Sequence, residues 1–236
     1  MRSPWSCHVL TLFPDIFPGA LDVSVLSQAR SKGIWDLHVH DIRDFSLDKH
    51  KSVDDEPYGG GAGMVMRADV VGGAMDHVSR THGVKTWYVM SPRGRQIDQS
   101  FLYSFAQLSG PIGLLCGRFE GIDERIYEAH DVTEISIGDF VMTGGELAAM
   151  CVLDATIRLL DGVVGDKQSL VDESFQDGLL EYPQYTRPAE WQGKEVPVIL
   201  LSGHHEKIRQ WRQEKSMEIT AQRRPDLWKK YQEKRG

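Results

Sequence analysis

The sequence predicts an α/β protein with a mostly parallel sheet, followed by a small all-α domain at the carboxyl end. Apolar runs of strand length, such as TWYVMS at 86–91 and PIGLLC at 111–116, are bounded by Pro or Gly. Such runs are typical of buried parallel strands. Segments with apolar residues at helical spacing lie between the strand-like runs, and this alternation is typical of a parallel α/β sheet.

The first 165 residues give the order of these elements. A strand is expected at 8–13, and residues 15–32 carry apolar residues at helical spacing. WDLHVHDI at 35–42 and VTEISI at 132–137 alternate apolar and polar residues, as half-buried strands do. The segment GGELAAMCVLDATIRLLDG then presents one apolar helical face and stops at Gly162.

The pattern changes after Gly165, which divides the chain into three predicted parts. Residues 1–165 form the α/β domain. The polar stretch DKQSLVDESFQDG lacks a sustained period, so 166–177 is predicted to be a mobile linker. HHEKIRQWRQEKSMEI and PDLWKKYQEK are helical and rich in basic residues, so 178–236 is predicted to be a basic helical domain.

The composition favours a cytoplasmic globular protein. Of the 236 residues, 41% are hydrophobic and 26% are charged. The sequence contains no apolar stretch of membrane-spanning length, and its start does not resemble a secretion signal. The three cysteines are far apart and form no CxxC pair, so we expect reduced and mostly buried thiols. They are Cys7, Cys116 and Cys151.

The net charge of −7 is distributed unevenly. Residues 194–236 carry 11 Lys and Arg against 6 Asp and Glu, whereas the first 193 residues carry 16 against 28. A basic segment on an acidic protein indicates either a polyanionic partner at that place or an ordinary solvated helical surface.

Three glycine-bearing loops directly follow predicted strands: SPRGR at 91–95, CGRFEG at 116–121 and SIGDFVMTGGE at 136–146. Ligands of open α/β sheets bind at the carboxyl ends of strands. Neither GxGxxG nor GxxxxGK[ST] occurs, so a nucleoside without a polyphosphate fits better than ATP. A fourth loop, PYGGGAGM at 57–64, is either a place of close backbone approach or a flexible surface loop.

Several long blocks of the sequence resemble bacterial tRNA (guanine-N1)-methyltransferases. The blocks are YGGGAGM, SPRGR, CGRFEGIDERI, SIGDFVMTGGELAAM, GLLEYPQYTRP, VPVILLSGHHEKIRQWR and RRPDLW. The likeness runs from the first strand to about Trp228. It implies a SPOUT fold, in which the parallel sheet contains a deep trefoil knot. Periodicity does not predict a knot, and the general rule against threaded loops argues against one.

The resemblance implies S-adenosylmethionine as the methyl donor, a molecule with an adenine and no phosphate. It assigns the methionine and ribose end to Ser91, Pro92 and Gly117, with Glu120 as the partner of the α-amino group. It assigns the adenine to the backbone of Ile137, Gly138, Asp139, Phe140, Val141 and Met142, with Gly144 and Gly145 closing the pocket. Relatives often carry Tyr where Phe119 and Phe140 stand, so stacking is retained here and any hydroxyl contact is lost.

The resemblance also implies methylation of N1 of the guanosine at tRNA position 37, beside the anticodon. Guanine N1 carries a proton, so a carboxylate is expected to remove it as a general base. General-base catalysis of this kind raises the reaction rate by about 10²–10⁴-fold. The matching positions are Glu173 as the base and Arg158 as the cation that stabilises charge on O6. Many relatives have DSF where ESF stands here, so Asp172 is the alternative base. Without the resemblance, the local sequence would indicate that Arg158 is a cation at a helix end and that Glu173 is a solvated charge.

The basic helical domain is expected to hold the phosphates of the tRNA anticodon stem-loop. Its candidate contacts are Arg209, Arg212, Lys215, Arg223 and Arg224. The resemblance further implies a homodimer, in which one protomer binds the cofactor while the linker and basic domain come from the other.

The histidines predict no metal site. His38 and His40 share a strand face and His204 and His205 are adjacent, but sequence spacing offers no third ligand. We therefore expect surface or capping roles. Some relatives need Mg²⁺ for turnover, although this sequence shows no dedicated set of Mg²⁺ ligands.

Three other functions compete with this one. A ribose 2′-O-methyltransferase of the same knotted class would not need the linker carboxylate. A non-catalytic RNA-binding protein would use the basic domain but not S-adenosylmethionine. A nucleotide-dependent dehydrogenase is disfavoured by the missing dinucleotide fingerprint.

Overall fold

The computed structural model of the chain describes residues 3–165 and 173–235. The chain divides into two compact units, Met1–Gly165 and Asp166–Gly236.

The first unit is built on a five-stranded parallel sheet with the strand order β2-β1-β6-β5-β7. Its strands are β1 Trp5–Thr11, β2 Trp35–Asp41, β5 Trp87–Gln96, β6 Ile112–Cys116 and β7 Val132–Ser136. Two further short strands, β3 Asp54–Asp55 and β4 Val65–Met66, pair antiparallel outside this sheet. The prediction of a mostly parallel sheet is confirmed.

Helices cover both faces of the sheet, and the alternation of side chains along β1 shows why. Cys7 and Val9 belong to a core shared with α1 Ser24–Ser31, α3 Gln99–Ala106 and α5 Glu146–Ile157. Leu10 and Leu12 point the other way, into a core shared with α2 Ala68–His82 and α4 Arg125–Ala129. A strand buried on both faces needs apolar residues in succession, as the compact runs of the sequence indicated.

The predicted helix at 15–32 is wrong in its first half. Two short 3₁₀ turns, Pro14–Ile16 and Gly19–Asp22, precede α1, which begins only at Ser24. Pro18 lies between these turns and lacks the backbone N–H that a continuous helix would use. The apolar spacing is nevertheless used, because Leu21, Leu26 and Ala29 are all buried.

The helices α2, α3 and α4 were not identified from the sequence. The largest of them, α2, contains Gly72 and Gly73, which lower helix propensity and weaken a periodic signal. Its buried face is nevertheless regular and includes Val71, Met75 and Val78. Packing on the sheet therefore stabilises a helix that propensity alone would not favour.

The second unit is mainly helical, as predicted. It contains α6 Val198–Leu201, α7 His205–Arg223 and α8 Pro225–Glu233, together with the two-residue strands β8 Glu190–Trp191 and β9 Lys194–Glu195. The buried Thr220 of α7 accepts a hydrogen bond from the backbone N–H of Leu180 at 2.8 Å, which fixes the entering segment on that helix.

Three further expectations concerned the cysteines, membrane-spanning helices and the knot. Cys7 and Cys116 are buried thiols, while Cys151 is exposed, and none forms a disulfide. Among the described residues, no helix combines the length and apolar character that crossing a bilayer requires. The trefoil knot stays a prediction.

Candidate functional site

The carboxyl ends of three adjacent strands, β6, β5 and β7, meet at one edge of the sheet. A bulge late in β5 and the loops that follow β6 and β7 enclose a cavity of about 380 Å³. These are the three glycine-bearing loops of the sequence, so the predicted ligand edge of the sheet coincides with a formed cavity.

The SPRGR loop is a bulge within β5. Met90 and Arg95 both pair with Ile135 of β7, so the residues between them leave the strand register. Ser91, Pro92 and Arg93 consequently line the cavity. Gly94 ends the bulge against the backbone of β7, where a Cβ would lie 2.4 Å from the carbonyl carbon of Glu134.

The loop after β6 is held by the end of the PYGGGAGM segment. The backbone N–H of Glu120 donates to the Met64 carbonyl at 3.0 Å, and the N–H of Met66 donates to the Gly121 carbonyl at 2.9 Å. Residues 58–63 are exposed, so the glycine run is a surface loop whose end is tied to the cavity wall.

The loop after β7 is shaped by a serine. Ser136 donates its hydroxyl proton to the Gly138 carbonyl at 3.0 Å and accepts from the Gly138 N–H at 3.2 Å. Further along, the N–H of Gly145 donates to the Gly117 carbonyl at 3.0 Å, which joins this loop to the one after β6. Backbone groups therefore form much of the cavity wall.

A buried ion pair supports the cavity from below. Glu146, at the start of α5, is 1% exposed and accepts a hydrogen bond from the Thr11 hydroxyl at 2.8 Å. Arg118 donates from Nε to the same carboxylate oxygen at 3.2 Å, and its Nη2 lies 2.9 Å from the other oxygen. Burial, with the Glu146 carboxylate adding to it, raises the pKa of the adjacent Cys116 thiol.

A second arginine lines the opposite wall. Arg93 donates to Glu134 and to Glu124, each at 3.1 Å, and its guanidinium lies 5.3 Å from the ring centre of Tyr127. Burial, helped by the Glu134 carboxylate, raises the pKa of Tyr127, while Arg93 opposes this change. The phenol is therefore protonated at neutral pH and offers the cavity an aromatic face.

Nearly all of the predicted cofactor-binding residues line this cavity. The exception is Asp139, which is not part of the wall. The lining members are Ser91, Pro92, Gly117, Glu120, Ile137, Gly138, Phe140, Val141, Met142, Gly144 and Gly145.

Several lining residues were missed by sequence reasoning, above all Arg93, Arg118 and Tyr127. The two arginines lie inside the loops SPRGR and CGRFEG, so their position was visible in the sequence. Their roles were not visible, because the carboxylates that orient them come from distant segments.

The two catalytic candidates lie in different units. Arg158 caps the carboxyl end of α5, where its backbone N–H donates to the Asp154 carbonyl at 3.3 Å. Glu173 belongs to the second unit, is half-buried, and its carbonyl accepts from the Gln176 N–H at 3.4 Å. The alternative base, Asp172, lies outside the described residues, as do residues 166–172 of the predicted linker at 166–177.

The predicted tRNA-binding residues all lie on α7 or at its end, but most are engaged within the chain. Arg209 pairs with Glu206, Lys215 lies 2.5 Å from Glu218, and Arg224 lies 2.7 Å from Asp226. Arg212 stacks on Tyr182 at 4.7 Å. Arg223 ends α7. The net positive charge of this unit is therefore less concentrated than the basic residues alone suggest.

Sequence spacing offered no third ligand beside His38 and His40, but the fold brings two further imidazoles to them. The parallel pairing of β1 with β2 places His8 opposite His38, and the end of α2 adds His82. His8, His40 and His82 have ligand atoms that all lie within 4.8 Å of one another.

The cavity suits a nucleoside-like ligand without a polyphosphate. Its wall combines apolar side chains with backbone amides and carbonyls, and no lysine occurs among the described residues that line it. Gly145 allows the loop after β7 to pack closely against the end of β6, since a Cβ there would lie 3.0 Å from Cys116 Cα.

The fold and the cavity define a class: an α/β protein with a parallel sheet and a loop-built cavity for a small ligand at the carboxyl edge of that sheet. The family model described as tRNA (Guanine-1)-methyltransferase TrmD matches residues 6–230. The chain belongs to this family, whose fold is SPOUT.

Curated relatives with the name tRNA (guanine-N(1)-)-methyltransferase match nearly the whole chain. The relative from Ruegeria pomeroyi is 52% identical over 233 residues, which are 98% of this chain and 96% of the relative. The relative from Roseobacter denitrificans is 54% identical over 225 residues, covering 95% and 93%. The relative from Bartonella tribocorum is 53% identical over 231 residues, covering 98% of each.

Proposed function

We propose that this protein transfers a methyl group from S-adenosylmethionine to N1 of the guanosine at position 37 of tRNA. The observation that carries the proposal is the cavity at the carboxyl ends of β5, β6 and β7, in a chain of the tRNA (guanine-N1)-methyltransferase family. A pure RNA-binding protein would have no use for such a cavity.

In this proposal the cavity residues bind and orient the cofactor, which supplies an activated methyl group on a sulfonium. Ser91, Pro92 and Gly117 hold its ribose and methionine end, and Glu120 accepts from its α-amino group. Phe140 and the neighbouring backbone of 137–142 contact the adenine. Orientation of two reactants in this way contributes about 7–11 kcal/mol to lowering a barrier.

The acceptor requires proton removal, because the lone pair of guanine N1 becomes nucleophilic only as the N–H bond breaks. Glu173 takes that proton, and the electron pair left on N1 forms the new bond to the methyl carbon. Arg158 stabilises the negative charge that develops on O6. The products are the methylated tRNA, S-adenosylhomocysteine and a protonated carboxyl group on Glu173.

The basic helical unit supplies the tRNA contacts in this proposal, through salt-dependent interactions with phosphates. The protein acts as a homodimer in which the cofactor cavity of one protomer works with Glu173 and the basic unit of the other. Mg²⁺ is not assigned a protein site.

The test is transfer of labelled methyl from S-adenosylmethionine to unmodified tRNA transcripts. One transcript carries guanosine at position 37 and a matched transcript carries adenosine there. Wild-type protein is compared with Glu173→Ala and Asp172→Ala, and both variants are checked for cofactor binding.

We expect label on the guanosine transcript alone, with kcat lowered about 10²–10⁴-fold in Glu173→Ala. If kcat falls only in Asp172→Ala, Asp172 and not Glu173 is the base. Equal labelling of both transcripts would favour a ribose 2′-O-methyltransferase. If neither transcript is labelled although the protein still binds tRNA, the protein would be a non-catalytic RNA-binding protein.

A further inference from the structure

Four histidines come together on the face of the sheet that α2 covers, and they share no residue with the methyl-donor cavity. His8 lies on β1, His38 and His40 lie on the edge strand β2, and His82 is the last residue of α2. His8 pairs with His38 in the parallel register, and His40 lies two residues further along the same face.

The nitrogen atoms of three of these rings lie close together. His8 Nδ1 lies 3.0 Å from His40 Nε2, and the ligand atoms of His8, His40 and His82 all lie within 4.8 Å of one another. Two nitrogens on one tetrahedral zinc lie about 3.3 Å apart, because each Zn–N bond is about 2.0–2.1 Å. The 3.0 Å between His8 Nδ1 and His40 Nε2 is close to that spacing.

The fourth histidine and the nearest carboxylate stand beside these three as supporting groups. His38 stacks on His8 with ring centres 4.5 Å apart, and its Nε2 lies 3.3 Å from Asp36 Oδ2. Asp36 in turn accepts from Arg30 Nη2 at 3.2 Å. Stacking of His38 restrains the His8 ring, and an oriented ring is what a metal ligand requires.

We propose that His8, His40 and His82 form a site for a borderline divalent transition metal ion, with Zn²⁺ as the reference ion. Three neutral imidazoles with a water in the fourth position are a recognised zinc ligand set, whereas Mg²⁺ requires oxygen ligands. His8 is 2% exposed and His82 is exposed, so the site is closed on the core side and open to solvent on the other.

The site joins three elements that are distant in sequence, namely β1, the edge strand β2 and the end of α2. Bound metal stabilises the folded state, because the unfolded chain does not hold the three rings together. The metal is assigned the role of joining these three elements, and the inference stands independently of the proposed methyl transfer.

The test uses the full-length chain after treatment with EDTA and dialysis. Zn²⁺ is titrated in competition with a chromophoric chelator, and Co²⁺ is added separately to read its visible d–d bands. Wild type is compared with His82→Ala, which removes an exposed ligand, with His40→Asn, and with His50→Ala as a matched loss of an exposed histidine outside the cluster. Far-UV circular dichroism confirms that each variant is folded.

We expect one Zn²⁺ per chain in wild type and His50→Ala, Co²⁺ bands of tetrahedral intensity, and a higher thermal midpoint with Zn²⁺. In His82→Ala the affinity falls more than about 100-fold, which exceeds the loss seen for outer-shell partners. Equal affinity of wild type and folded His82→Ala would overturn the site, and so would the absence of Zn²⁺ binding by wild type at micromolar free metal.

Discussion

At the scale of single residues, the cavity depends on charges that are paired below it. Glu146 is the only buried carboxylate among the described residues, and its partners Thr11 and Arg118 come from β1 and from the loop after β6. Arg118 also lies over the ring of Phe13 at 4.4 Å and donates to the Thr143 carbonyl at 3.1 Å. One arginine thus connects the segment after β1, the loop after β7 and the start of α5.

Removing the charge of Glu146 should therefore destabilise the first unit. In Glu146→Gln, the Arg118 guanidinium, whose side chain is 19% exposed, loses its anionic partner. We expect the free energy of unfolding to fall by about 3 kcal/mol, the lower end of the range for a broken buried pair. Urea unfolding monitored by tryptophan fluorescence measures this change.

The control is Glu128→Gln, a loss of the same charge at an exposed position of α4. It should change stability by less than about 0.5 kcal/mol. If the two variants unfolded at the same urea concentration, the Arg118–Glu146 pair would not be a stabilising feature.

At the scale of elements, the register break in β5 converts a strand end into a cavity wall. The bulge from Ser91 to Gly94 is possible because the chain returns to pair with β7 at Arg95. Gly94 makes that return possible, since its missing side chain allows the two backbones to approach closely.

Two glycine-to-alanine substitutions should consequently have opposite effects. Gly94→Ala places a Cβ 2.4 Å from the β7 backbone, which cannot move aside as a side chain could. We expect a loss of at least about 2 kcal/mol in the free energy of unfolding, together with weaker cofactor binding. Thermal or urea unfolding and a cofactor titration measure these two effects.

The matched change is Gly73→Ala in α2, where a Cβ meets nothing within 4 Å. It should stabilise the protein by about 0.5–1 kcal/mol, because alanine loses less backbone entropy in a helix. A stabilising effect of Gly94→Ala would show that the bulge adopts another register in solution.

At the scale of the whole molecule, each proposed active site combines the first unit of one protomer with the second unit of the other. The cavity belongs to the first unit, while Glu173 and the basic residues belong to the second. A composite site of this kind makes a specific prediction for mixed dimers.

Two inactive variants should restore activity when they are combined. Glu120→Ala lacks the proposed cofactor contact and Glu173→Ala lacks the proposed base. In a random mixture, half of the dimers are mixed and each contains one intact site, so about a quarter of wild-type activity returns. Methyl transfer by co-expressed, differently tagged chains measures this, and activity no higher than that of either variant alone would place each site within one chain.

The sequence by itself determined the fold class, the family and the edge of the sheet that carries the cavity. Short contiguous segments of the sequence carry these features. Apolar runs bounded by Pro or Gly predict the strands, and contiguous motifs such as SIGDFVMTGGELAAM identify the family. Eleven of the twelve cofactor-binding candidates line the cavity because they lie in the bulge of β5 or in the loops that follow β6 and β7.

Only the tertiary structure decided which distant side chains meet. Thr11 and Glu146 are 135 residues apart, and His8 and His40 are 32 apart on neighbouring strands. No local spacing encodes such pairs, because they depend on strand order and register, which the packing of the whole sheet determines. The loop motifs therefore predicted the position of the cavity, but the sequence did not predict the Arg118–Glu146 pair or the histidine cluster.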